Sequence, residues 1–186
     1  RHTRYISVTG VQTCALPIYF NACGADDSGE LGQAPGATHI IARLLESVRD
    51  NKEFTLYGSD YATPDGTCIR DYVHVNDLAN AHSHAVSYLL SDMQECFAVN
   101  LGTEQGYSNR EIICAVRDFI GPIQIVEGDR RPGDPDRLVA GTLVARTQLA
   151  WRPEYSDLET IIKSAWKWYK HEVLLTHDLN NSTIKY

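Results

Sequence analysis

Residues 64–89 constrain the fold most strongly, because a turn, a strand pattern and a helix pattern follow one another there without a gap. Pro64-Asp65-Gly66 has strong turn chemistry. The next stretch, CIRDYVHV, is rich in β-branched and aromatic residues and predicts a strand. NDLANAHSHAVSYLL then predicts a helix that opens at Asn76 or Asp77. Strands that alternate with helices are typical of α/β and α+β domains.

The same alternation continues along most of the chain, so that an α/β fold class is predicted. Further strands are predicted at YFN, FTLYG, CFAVNLG and IQIVEG. Ser108 with Glu111 and Ser156 with Glu159 have the spacing of capping boxes, which open helices. The predicted helices are THIIARLLESVRD, SNREIICAVRDFIG, the short TLVARTQLAW, and a last helix from residue 157 to about residue 171.

The first residues do not fit a cofactor-binding loop. YISVTG resembles a first strand that ends at a glycine, but a dinucleotide loop needs further glycines and then a helix. After Gly10 there is no second glycine, and Pro17 stands where the helix would run. Residues 1–18 instead resemble a translated sequencing-library adapter. We expect three segments: a non-native 1–18, a domain over 19–175 and a polar tail over 176–186.

Charge and cysteine content exclude several classes of partner. The chain has 17 basic and 24 acidic residues and a net charge of −7, which argues against nucleic acid and anionic membranes as partners. No apolar run approaches the length of a membrane span. The cysteines show neither a CxxC pair nor zinc-ligand spacing, so no metal site is predicted. Scattered thiols without a signal peptide indicate a reduced, cytoplasmic protein.

Two stretches have the chemistry of an anion site. Arg70 follows a tight turn on a predicted strand, where it could reach a phosphate or could pair with Asp65 or Asp71 at the surface. EGDRRPGDPDR crowds arginines and acids into one loop after a strand, and it could hold a diphosphate or form a solvated charged turn. Because alternate strand residues share a face, Arg70, Tyr72 and His74 are expected on one side of their strand.

Together these stretches resemble a known family. YFNACGAD, THIIARLL, LYGSDYATPDGTCIRDYVHVNDLANAH, VNLGTEQGYS and RRPGDPDRLVA are similar, in this order, to the C-terminal half of the UDP-glucose 4-epimerases. These are extended short-chain dehydrogenase/reductases. The similarity runs from Tyr19 to about His171, and DGTCIRDYVHV is its most specific block. The resemblance implies a C-terminal, substrate-binding α/β domain, with the dinucleotide-binding Rossmann half largely missing from these residues.

The resemblance also implies a role for each matching position. The cofactor is NAD, and Tyr19 and Phe20 would lie against it. Arg70 and Arg131 would pair with the two phosphates of a UDP-sugar, and Asp134 would accept hydrogen bonds from its ribose. The remaining substrate-binding positions implied are Asn21 for the nucleotide-sugar, His39 and Ile40 for the diphosphate, and Thr55, Leu56 and Tyr57 for the uracil.

Members of this family are implied to take a hydride from C4 of the sugar and return it to the other face. That reaction needs a glycine-rich loop and a Tyr-x-x-x-Lys pair, and these 186 residues contain neither. Tyr169 is followed directly by Lys170 and does not match the pair. We therefore expect no epimerase activity from the chain by itself, and no catalytic residue is assigned. The family relatives are commonly homodimers.

Alternatives remain open at this stage. The sugar could be N-acetylhexosamine, arabinose or glucuronate instead of glucose and galactose, and a dehydratase or reductase of the same superfamily fits less well. The chain could also be a non-catalytic UDP-sugar-binding module, or a structural interaction protein that binds no nucleotide.

Overall fold

A computed structural model of the chain describes residues 15–34, 36–91 and 96–182, with side chains described as far as residue 170. Strands and helices alternate through most of it. The strands are β1 (Ala15–Tyr19), β2 (Asn21–Cys23), β3 (Phe54–Tyr57), β4 (Ile69–His74), β5 (Phe97–Leu101), β6 (Gly106–Ser108), β7 (Ile125–Gly128) and β8 (Arg137–Leu138). The helices are α1 (Ile40–Asp50), α2 (Val75–Leu89), α3 (Asn109–Phe119), α4 (Leu143–Gln148) and α5 (Leu158–Ser182).

The described strands form three small sheets, and most of their pairings are parallel. β4 is the central strand, because it pairs in parallel with β2 and β8 and antiparallel with β6. β1 pairs in parallel with β5, and β3 pairs in parallel with β7. Parallel pairs require crossover connections, which the helices supply. The predicted α/β class is therefore confirmed.

Two apolar cores lie on opposite sides of β4. The first is built from α1, α3 and α5, and it includes Leu44, Ile112 and Ile161, which are fully buried. The second lies between β5, α2 and α4 around Val73 and Trp151. Because successive strand residues point to opposite faces, β4 contributes to both cores.

Two predicted helix starts differ from the structure. α2 begins at Val75, and its N-cap is His74, whose side chain accepts a hydrogen bond from the Asn76 backbone N–H. The capping box predicted at Ser156 and Glu159 is wrong. Ser156 Oγ donates instead to Asp77, and the Thr160 N–H bonds to Asp157 Oδ1. The box at Ser108 and Glu111 is confirmed.

The N-terminal boundary predicted between residues 18 and 19 is not a structural boundary, because β1 crosses it. All five β1 residues pair in register with β5, from Ala15 with Phe97 to Tyr19 with Leu101. Backbone pairing needs no particular side chain, so ALPIY forms this strand, with Pro17 at a sheet edge where a missing N–H is tolerated. YISVTG lies outside the described residues. The expected adapter origin of residues 1–18 stays a prediction.

The C-terminal end also differs. α5 continues to Ser182, past the end predicted at about His171 and into the segment expected to be a polar tail. None of the helices that the structure describes has both the length and the apolar character needed to cross a membrane.

Candidate functional site

One cavity brings together all nine residues predicted to bind substrate. It has a volume of about 230 Å³ and lies between β2, β3, β4, the start of α1 and the loop after β7. The predicted residues that line it are Asn21, His39, Ile40, Thr55, Leu56, Tyr57, Arg70, Arg131 and Asp134. These positions are up to 113 residues apart in sequence, so their convergence on one cavity is a property of the fold.

Arg70 and Asp134 form the cavity's ion pair. Arg70 Nη2 lies 2.5 Å from Asp134 Oδ1, and the Arg70 side chain is 11% exposed. Its Nη1 donates to the Ile69 carbonyl at 2.7 Å. Tyr61 donates its hydroxyl proton to the second Asp134 oxygen at 3.1 Å. Arg70 is therefore fixed at the cavity wall, with Asp134 beside it as an acceptor.

The loop after β7 is held by two arginine–tyrosine stacks. Arg130 Cζ lies 4.0 Å from the centroid of the Tyr61 ring, and Arg131 Cζ lies 4.5 Å from that of Tyr57. Arg130 also binds the Asp136 carboxylate at 2.8 Å. Such stacking uses the face of a guanidinium and leaves its in-plane N–H donors available. The loop therefore presents Arg131 as a hydrogen-bond donor to the cavity.

The remaining polar walls come from β2 and from the first turn of α1. Asn21 donates its amide N–H to the Asp71 carbonyl at 2.7 Å, which ties β2 to β4 and leaves the Asn21 amide oxygen as an acceptor. α1 begins at Ile40, and its N-cap, His39, makes no side-chain capping bond. The first N–H groups of a helix lack intrahelical partners and favour an anion.

Several further residues line the cavity that were not predicted from the sequence, including Arg43, Tyr72 and Cys68. Tyr72 could have been found, because it shares a strand face with Arg70. Arg43 is one helical turn after His39, which is also a readable signal. Burial raises the pKa of Tyr72 and the pKa of Cys68, so both stay protonated near neutral pH. These two groups are therefore neutral parts of the wall.

Tyr19 and Phe20, the two residues expected at NAD, do not line this cavity. Tyr19 lies at the end of β1, and its hydroxyl is 2.6 Å from His82 Nε2. The residue is 49% exposed. The predicted contact with the cofactor stays a prediction.

A second cavity of about 430 Å³ shares Ala22, Cys23, His39 and Ile41 with the first. Its described lining contains no arginine or lysine, so the cationic groups belong to the first cavity. Within residues 15–34, 36–91 and 96–182, no cluster of His, Cys, Asp and Glu suits a metal ion.

Two buried carboxylates, outside the cavity lining, hold together the elements that form the site. Asp71 is fully buried and accepts from the backbone N–H groups of Thr103, Glu104 and Ala140 and from the Thr103 hydroxyl. Asp77 accepts from the N–H groups of Glu154 and Tyr155. A carboxylate with several donors is well satisfied without a cation. These two residues therefore connect β4 and α2 to loops far along the chain.

A family model and a curated relative both match this chain in sequence. The model of the NAD dependent epimerase/dehydratase family matches residues 3–102. The UDP-glucose 4-epimerase of Lactobacillus helveticus is 43% identical over 166 residues, which are 87% of this chain and 49% of that protein. The chain thus spans about half the length of the curated relatives that it matches.

Solved structures give the same result. The UDP-glucose 4-epimerase of Brucella ovis in complex with NAD is 43% identical with a TM-score of 0.77, and the match covers 82% of this chain and 47% of that one. The enzyme of Stenotrophomonas maltophila, with bound NAD and formylated UDP-arabinopyranose, is 30% identical with a TM-score of 0.85, over 89% of this chain and 50% of that one. With a family model that covers more than half of its residues, this chain belongs to the NAD dependent epimerase/dehydratase family.

Proposed function

We propose that this chain is the nucleotide-sugar-binding part of a UDP-glucose 4-epimerase, an NAD-dependent isomerase that interconverts UDP-glucose and UDP-galactose. One observation carries the proposal. The nine residues that sequence similarity assigns to a UDP-sugar, from Asn21 to Asp134, line a single cavity with two arginines in it. The relatives that match over most of the chain carry the same activity in their names.

The chemistry of the cavity suits each part of the ligand. Arg70 and Arg131 supply planar guanidinium donors, which match phosphate oxygens. The first turn of α1 adds backbone N–H groups beside the diphosphate. Asp134 offers a carboxylate to ribose hydroxyls, and β3 offers the Tyr57 ring and its backbone to the uracil.

Of the residues in this chain, only Tyr19 and Phe20 are expected to contact NAD. Tyr19 and Phe20 stand at the end of β1, outside the cavity, where they would flank the nicotinamide. When bound, NAD accepts a hydride from C4 of the sugar and returns it. We expect the dinucleotide loop and the Tyr-x-x-x-Lys pair to come from the half of the relatives' length that this chain does not span. The residues of this chain bind and orient the UDP-sugar.

For the whole protein we propose a homodimer in the cytoplasm. A reducing compartment is supported by Cys23, Cys68 and Cys114, which are thiols and not disulfides.

Calorimetric titration of the 186-residue chain with UDP tests the proposal. We expect saturable binding of UDP and, in Arg131→Gln, a loss of about 10-fold or more in affinity, because charge-assisted hydrogen bonds to phosphate are among the strong ones. Arg152→Gln is the matched control, since Arg152 is exposed and does not line the cavity. A folded chain that binds no UDP contradicts the proposal, as does an Arg131→Gln variant with unchanged affinity.

A further inference from the structure

Arg43 is a cation of the cavity that the family resemblance does not assign. It lies in the first turns of α1, four residues after His39, so that both side chains are on one face of the helix. Both line the cavity. The residue is half-buried. Its place in the wall is therefore set by α1 and not by an exposed loop.

The charges that line the cavity do not balance without a ligand. Its charged side chains are Arg43, Arg70, Arg131 and Asp134. Asp134 is already paired with Arg70. Within the parts of the chain that the structure describes, neither Arg43 nor Arg131 has a carboxylate at ion-pair distance. Two positive charges are left uncompensated, which is the charge needed to neutralise a diphosphate ester.

The two uncompensated arginines are held in the same way. Arg43 Cζ lies 5.8 Å from the centroid of the Phe54 ring, as Arg131 Cζ lies 4.5 Å from that of Tyr57. Phe54 and Tyr57 are the two ends of β3, so the two guanidinium groups lie over opposite ends of one strand. Contact with a ring orients a guanidinium while its in-plane N–H donors stay free for an oxyanion.

We infer that Arg43 is a specificity-determining residue of this site, which recognises the diphosphate of the nucleotide together with Arg131. The inference rests on the proposed function and deepens it. Arg43 makes the site discriminate a nucleoside diphosphate from the nucleoside, because its charge attracts the phosphates and has no counterpart in uridine. Its effect on binding depends on charge, so salt screens it.

Titrations of the chain with uridine, UMP and UDP at two salt concentrations test this inference. We expect Arg43→Gln to lower UDP affinity about 10-fold, to leave uridine affinity within about 2-fold, and to flatten the salt dependence of UDP binding. Arg43→Lys keeps the charge, and we expect it to recover part of the UDP affinity. Arg43→Met keeps an unbranched stem over the Phe54 ring and serves as the neutral variant if glutamine impairs folding. Arg152→Gln is again the control.

The outcomes separate this inference from the proposed function. A wild-type chain that binds no UDP overturns both. If wild type binds UDP and Arg131→Gln weakens that binding, while Arg43→Gln or Arg43→Met changes neither UDP affinity nor its salt dependence, the inference about Arg43 alone is overturned. Equal losses of uridine and UDP affinity in the neutral variant also overturn it, because they would show that Arg43 only packs against Phe54.

Discussion

The two faces of β4 differ in what their charged side chains contact. The face of Arg70, called here the open face, borders a cavity, and the face of Asp71, called the closed face, is covered by loops. On one face Arg70 lines the first cavity, where its partner Asp134 is 33% exposed. On the other face the neighbouring Asp71 is fully buried and accepts hydrogen bonds from four donor groups in loops more than 30 residues away. In the proposed function Arg70 binds the ligand, whereas the hydrogen bonds of Asp71 stabilise the fold around the cavity.

This difference shows why two oppositely charged residues that are adjacent in a strand sequence do not form an ion pair with each other. Adjacent strand residues point to opposite faces, so Arg70 and Asp71 cannot form the surface ion pair that sequence alone leaves open. Each takes partners from its own side. The cavity face remains open to a ligand because its charges are partly exposed, while the opposite face is closed by hydrogen bonds.

The strongest test of this difference removes the charge from the closed face. We expect Asp71→Asn to lower the free energy of unfolding by about 3 kcal/mol or more, because an amide cannot accept from all the donors that surround the carboxylate, and buried donors are left without partners. Denaturant unfolding measures the change. Asp118→Asn is the control, since Asp118 is exposed on α3. Equal stability of the two variants would show that Asp71 is not structural.

The matching change on the open face has a smaller effect on stability and a direct effect on binding. Arg70→Gln leaves Asp134 partly exposed to water and bonded to Tyr61, so we expect the unfolding free energy to change by no more than about 1 kcal/mol. We expect UDP affinity to fall about 10- to 100-fold. Parallel unfolding and UDP titrations measure both effects. If Arg70→Gln lowers the free energy of unfolding as much as Asp71→Asn does, Arg70 is a structural residue like Asp71 and the proposed difference between the two faces is wrong.

Much of the architecture could be predicted from local patterns. Strand β4, helix α3 with its Ser108 capping box, and strand β7 follow from β-branched content, capping chemistry and periodicity. Arg70 and the arginine-rich loop could be singled out by their chemistry, but the full set of nine lining residues could be named only through family similarity, because spacing alone does not show that positions 21 and 134 meet. Two short strands, β6 and β8, carry too few residues for a pattern and form because β4 offers them a pairing edge.

The two incorrectly predicted helix starts have different physical causes. Ser156 has the spacing of a capping box, yet it bonds to Asp77, and His74 caps α2 in place of Asn76 or Asp77. Asp77 is a tertiary partner of Ser156, and sequence spacing contains no information about it. The His74 cap is local, because its ring accepts from the N–H two residues further along the chain. The N-terminal boundary differs for a third reason, since β1 pairs with β5 through its backbone whatever the origin of its side chains.

The smallest expected effect on stability is at His74, the last residue of β4 and the N-cap of α2. Its Nδ1 accepts from the Asn76 N–H, so Nε2 carries the proton and donates to Ser164 Oγ at 2.9 Å. Burial lowers the pKa of His74 below the usual histidine value of 6.5, and this outweighs the opposing effect of Asp77, Asp27 and Asp157. The neutral ring is therefore part of the fold and not a base for the cavity.

Linkage fixes the sign of the resulting pH dependence. Below pH about 6.5 the unfolded chain binds a proton at His74 that the folded chain does not, so this residue's contribution to stability is complete above that pH and is lost as the pH falls through it. We expect His74→Asn, which keeps a good N-cap residue, to show a shallower loss of unfolding free energy between pH 7 and pH 5.5 than wild type. Unfolding curves across that range measure the slope. A variant with the wild-type slope would place the titrating group elsewhere, and the buried end of β4 would then tolerate a charge as the open face does.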